Sequence, residues 1–130
     1  MPEKKDRDYY PLINKKGKAN FFLDSDKIHI YSWEGEPVAF VEKGAVFTFD
    51  KKHLGFYEEG WLRDKNGKCV AMVEPAGPMG PNPPKTKHRE PPGEKKEAPP
   101  LPEIKELPPK PLKKAAWSNL SDKDFFSGKK

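Results

Sequence analysis

The chain has 130 residues, of which 34% are hydrophobic and 16 are prolines, which bounds it to one small domain plus a segment unable to build a core and excludes a large-cored enzyme. Its formal charge is +5, but residues 1–75 carry 13 basic and 13 acidic side chains, so the surplus belongs to residues 76–130 alone. Cys69 is the only cysteine, so no intramolecular disulfide or thiolate metal cluster is expected, and no cofactor is.

Residues 1–8 read as a solvated, charged arm without the apolar stretch of a leader, and no run approaches the ~20 apolar residues of a membrane-spanning helix. A cytoplasmic location and no membrane partner are the expectations. Residues 9–76 then write one hairpin pattern four times, over 12–26, 30–44, 46–60 and 62–76. Gly17, Gly35, Lys51 and Gly67 align as the turn position. Three residues earlier stand Asn14, Ser32, Thr48 and Asp64, whose short polar side chains bond local backbone and start turns. Five residues before the turn position come Leu12, Ile30, Val46 and Leu62. After it the runs Asn20–Leu23, Val38–Val41, Leu54–Tyr57 and Val70–Val73 each predict a strand.

Asn66-Gly67 is the strongest hairpin signal and predicts a type I′ turn with positive φ at both central residues. A two-stranded hairpin is only marginally stable alone, so the four must share one core. The expected fold class is all-β: four short hairpins in a pseudo-fourfold flower, with Phe22, Phe40, Phe56 and Met72 packed near the axis, followed by a disordered Pro-rich tail. The short repeat excludes a four-stranded propeller blade, which needs about 40 residues.

The runs Trp33–Glu42, Lys52–Trp61 and Arg63–Gly67 make residues 9–74 resemble the bacterial 4-fold beta flower domain family. Members also close a Pro/basic tail on a Trp-Ser…Phe-Phe motif, matched here by Trp117-Ser118 and Phe125-Phe126. The resemblance implies a fold and no catalytic residues. Lys51 departs from it where a turn glycine is expected, as does Asn20 in a column otherwise Val or Leu.

Single residues offer little chemistry. Cys69 reads as a packing residue, His29 as an exposed strand residue and His53 as a ring bonded beside a turn, none with a visible catalytic partner. The column Asp24, Glu42, Glu58, Glu74 could ring a hard cation, but acids at solvent-facing links more often mark a solvated surface. Aromatic residues are abundant, and Tyr31, Trp33, Tyr57 and Trp61 are candidates for an exposed binding face.

Twelve of the prolines lie beyond residue 76, so residues 77–112 read as an extended, disordered linker of polyproline II character. Pro99-Pro100-Leu101-Pro102 and Pro108-Pro109-Lys110-Pro111 carry the Pro-x-x-Pro spacing of ligands for SH3-like grooves. Residues 113–130 form a terminal aromatic docking motif, with Ser121 and Asp124 placed to cap a short helix. Trp117, Leu120, Phe125 and Phe126 are too costly to leave in water, and bind either their own or a neighbouring domain or another protein.

These features favour a non-enzymatic interaction or scaffold module that reaches a protein partner, or itself, through the tail, with homo-oligomerisation among the outcomes. The alternative is a nucleic-acid-associated protein using the basic tail and aromatics, against which stand the neutral domain and the acids interleaved with the tail lysines. An enzyme is the least favoured class, for want of a nucleophile with its base or a phosphate loop.

Overall fold

A computed structural model describes residues 8–74, 76–87 and 89–128. Most of the charged arm therefore lies outside the described residues. Eight strands, β1 (Tyr9–Asn14), β2 (Ala19–Asp24), β3 (His29–Ser32), β4 (Pro37–Glu42), β5 (Ala45–Phe47), β6 (His53–Glu58), β7 (Trp61–Arg63) and β8 (Cys69–Met72), pair in chain order as an antiparallel closed barrel. Ile13 opposite Met72 and Asn14 opposite Ala71 close the ring, so no sheet edge is left open. One helix, α1 (Asp122–Ser127), follows near the C-terminus.

The four hairpin turns share one construction. The amide of Gly17, Gly35, Lys51 or Gly67 donates to the carbonyl of Asn14, Ser32, Thr48 or Asp64, and that residue's own amide donates four residues on, to Lys18, Glu36, Lys52 or Lys68. With positive φ at the last loop residue, this is a three-residue loop ending in a bulge. The starting side chains serve as expected: Asn14 Oδ1 accepts from the amides of Lys16 and Lys18, and Asp64 Oδ1 from Asn66 and Lys68. Asn66 does not have positive φ, so Asn66-Gly67 is not the predicted type I′ turn. The two-residue loops with positive φ throughout lie between hairpins, at Lys43-Gly44 and Glu59-Gly60.

The bulges decide which face looks inward. Each hairpin shifts register once, at Leu12/Ile13, Ile30/Tyr31, Val46/Phe47 and Leu62/Arg63. Leu12 then opposes Phe21, Ile30 opposes Ala39, Val46 opposes Gly55 and Leu62 opposes Ala71. Directly opposed residues share a face, and this one is the barrel interior, completed by Leu23, Leu54, Val70 and Val73. Phe22, Phe40, Phe56 and Met72 are therefore not at the axis. They belong to three separate outer clusters: Phe22 with Ala19, Tyr31 and Trp33, Phe40 and Phe56 with Ala45 and Phe47, and Met72 with Ile13, Trp61 and Cys69. An outward apolar set can be buried only if something covers the barrel.

Candidate functional site: a belt and a plug on the barrel

What covers it is the proline-rich segment. Among its described residues before α1 it holds no helix or strand, as expected of such a sequence, but it runs along the barrel as a belt instead of leaving it. The amide of Lys87 donates to the carbonyl of Gly17, that of Lys96 to Gly35 and that of Lys114 to Gly67. In each case the carbonyl two residues earlier, of Lys85, Glu94 or Leu112, lies where a Cβ on that glycine would stand. The turn glycines Gly17, Gly35 and Gly67 are thus required twice, for φ of 83°, 96° and 90° and for close approach of the belt.

The clasps follow a step of nine residues. Lys87 and Lys96 are nine apart and Lys114 is two such steps on, with Lys105 at the missing place. The sequence repeats with it: Glu94-Lys95-Lys96-Glu97-Ala98-Pro99-Pro100 is echoed by Glu103-Ile104-Lys105-Glu106-Leu107-Pro108-Pro109. The residue before each clasp lysine meets the acidic column: Thr86 donates to Glu74, Lys95 pairs with Asp24, and Lys113 lies 3.5 Å from Glu58, which Lys110 also binds. Lys110 beside Glu58 holds its carboxyl below the usual carboxylate range. Three of the four acids of the column thus anchor the belt, and the four do not converge on one point among the described residues.

The aromatics read as an exposed face need correction. Tyr31, Trp33 and Trp61 are buried, because the belt and neighbouring petals lie on them. Trp33 Nε1 donates to the Glu90 carbonyl at 2.9 Å with the Arg89 guanidinium 5.1 Å from its ring, and Trp61 Nε1 donates to the Gly77 carbonyl at 2.8 Å. Tyr31 stacks on Phe22. Tyr57 is half-buried against the interior cluster, where burial raises its hydroxyl pKa.

Arg63 links the belt's two ends. Only 3% exposed, it donates from Nη1 to the Gly67 and Lys114 carbonyls and from Nη2 to the Met79 carbonyl. Beyond Lys114 the chain bridges the barrel, with the Cys69 amide donating to Ala116 and the Ser118 amide to the Cys69 carbonyl, and Trp117 packs edge-on to Trp61.

The terminal motif is a plug. Phe125 and Phe126 are buried in the interior cluster with Leu120 packed against it, and the Phe126 ring lies 4.3 Å from that of Phe21. A Cβ on Gly55 would stand 2.8 Å from the Phe125 ring, so the glycine makes room for it. Ser121 caps α1 as expected, accepting from the Asp124 amide, and Gly128 ends the helix with φ 82°. Two polar ties fix the plug: Ser118 Oγ donates to Asp64 at 2.6 Å, and the buried Asp122 accepts from Asn14 and Asn20. All four motif residues, Trp117, Leu120, Phe125 and Phe126, therefore sit on their own barrel.

Among the described residues, His53, Cys69 and the Asp24, Asp26 and His29 group are committed or enclosed. His53 Nε2 donates to the Gly55 carbonyl at 2.9 Å, and burial lowers its pKa. Cys69 is fully buried and burial raises its pKa, which makes a poor nucleophile. Asp24, Asp26 and His29 each bring a ligand atom within 4.8 Å of the others, but Lys95 already pairs with Asp24 and His29 Nδ1 lies 2.7 Å from Asp26. No helix among the described residues is long and apolar enough to cross a membrane.

The family described as 4-fold beta flower protein matches residues 10–126, which takes in the barrel, the belt and the plug as far as Phe126. No curated protein and no solved structure matches the chain.

Proposed function

The chain belongs to the 4-fold beta flower family, and from that premise we propose that it is a non-enzymatic interaction module. In this reading the barrel is the scaffold, the Trp117–Phe126 segment closes it in cis, and the belt is the surface offered to a protein partner. The observation that supports it most is the state of the proline-rich segment. It is fixed by backbone bonds at Lys87, Lys96 and Lys114, yet many of its side chains face solvent. A segment already ordered before binding loses less conformational entropy when it binds.

The absence of enzymatic activity is part of the proposal. It is supported by the commitment of His53 to Gly55 and the enclosure of Cys69. The nucleic-acid alternative is weakened because Lys95, Lys96, Lys110 and Lys113 already pair with Asp24, Glu36, Glu58 and Glu59. A nuclease-treated capture from native lysate with the full chain tests the choice. A partner that survives nuclease and moderate salt is expected. Retention only of species lost on nuclease treatment would instead support nucleic-acid association.

A further inference from the structure

Resting on the interaction-module reading, we infer that the belt arc over the third petal, residues 97–110, is the partner site, and that its partner is a protein domain with an aromatic groove that reads polyproline II helices.

The third petal is where the belt pattern is interrupted twice. Its turn residue is Lys51, with φ 71°, where the other three petals have glycine. The other clasps place a belt carbonyl where a Cβ would stand, so the Lys51 side chain blocks the equivalent approach of the Glu103 carbonyl. No hydrogen bond joins the Lys105 amide to Lys51 among the described residues, although the nine-residue step aligns them. The second interruption is Ile104, which stands where Thr86, Lys95 and Lys113 meet the acidic column. Glu42 has no ion pair with the belt among the described residues, and Ile104 packs instead on the cluster of Phe40, Phe47 and Phe56.

The arc is thus tied at both ends, by Lys96 and Lys114, and held between them by the half-buried Ile104 and the Lys110–Glu58 pair. Its outward surface sets proline and aliphatic side chains among charged ones: Pro99, Pro100 and Pro109 are exposed, Leu101 is 43% exposed and Leu107 is 42% exposed, alongside the exposed Glu97, Glu103, Lys105, Glu106 and Lys110. Proline supplies no amide donor and pre-sets φ, so this backbone suits a groove that recognises ring and aliphatic edges between aromatic side chains. Lys105, three residues beyond Pro102, has no ion pair among the described residues and can meet an acidic rim.

The full chain can be tested against a variant designed to complete the third clasp, Lys51→Gly with Ile104→Lys, and against Pro99→Ala/Leu101→Ala/Leu107→Ala. An isolated SH3-type domain that takes Pro-x-x-Pro-x-x-Lys peptides is the probe, titrated into the isotope-labelled chain by NMR. Shifts confined to residues 97–110, lost in the triple variant and in the closed-clasp variant, are expected. Absence of shifts, or shifts outside the arc, overturns the assignment of partner class and site. Lysate capture run in parallel separates this from the broader reading. Capture by the wild type but not the closed-clasp variant supports the arc, equal capture by both keeps the module and overturns the arc, and capture by neither overturns both.

Discussion

Asn20 donates its carboxamide to both oxygens of Asp122, at 3.3 and 3.1 Å, across 102 residues of sequence. Asn20 occupies a column that is otherwise Val38, Leu54 and Val70, so it gives up apolar surface in the barrel to receive a buried carboxylate from the plug. Asn20→Leu restores the column's pattern but leaves Asp122 with Asn14 as its one remaining side-chain donor. A loss of about 1–3 kcal/mol is expected despite the added hydrophobicity, since a buried charge left short of donors carries its desolvation cost. Denaturant unfolding of Asn20→Leu, Asp122→Ala and the double variant checks it: the double should lose less than the sum of the singles.

Turn glycines and Lys51 should respond in opposite directions. Gly67→Ala places a methyl against the Leu112 carbonyl at φ 90°, combining a backbone penalty of roughly 1–2 kcal/mol with loss of a belt clasp. Lys51→Gly relieves positive φ at an exposed residue and should stabilise by up to about 1 kcal/mol. Thermal melts of the two variants check both signs.

Phe125→Ala removes a ring from the barrel interior, where Gly55 leaves no side chain to fill the space. A loss of about 3–5 kcal/mol is expected, the range for deleting a buried aromatic ring. Ser127→Ala, on the exposed side of α1, should change stability by less than about 0.5 kcal/mol and serves as control.

His53 gives the fold a pH dependence of predictable sign. Burial holds its pKa below the ordinary value of 6.5, so the folded ring stays neutral while the unfolded one takes a proton. Its contribution is complete above the ordinary value and is lost as pH falls through the lower folded value. Melting temperature should decline across that window in the wild type, and His53→Gln should remove this part of the slope. The depressed Glu58 carboxyl acts in the same direction at more acid pH, as protonation releases Lys110 and Lys113.

The hairpins were legible because each is local. Asn14, Ser32, Thr48 and Asp64 bond within four residues, and the column arithmetic located them. The face that looks inward was not, because one bulge per hairpin exchanges inner and outer positions, and periodicity alone put Phe22 and Phe40 at the axis. The covering of Trp33 and Trp61 was hidden for another reason: their partners are backbone carbonyls of Glu90 and Gly77, which carry no side-chain signature. The belt does carry one signal in the sequence. Lys87, Lys96, Lys105 and Lys114 recur every nine residues, a period short enough to pass for low complexity until set beside the petals.

Amide hydrogen exchange, read residue by residue by NMR on the full chain, tests the belt most directly. The account predicts that Lys87, Lys96 and Lys114 exchange more slowly than free peptide, whereas Lys105, at the unclasped petal, exchanges as fast as free peptide. Free-peptide rates at all four lysines would contradict it and return the tail to a loose tether.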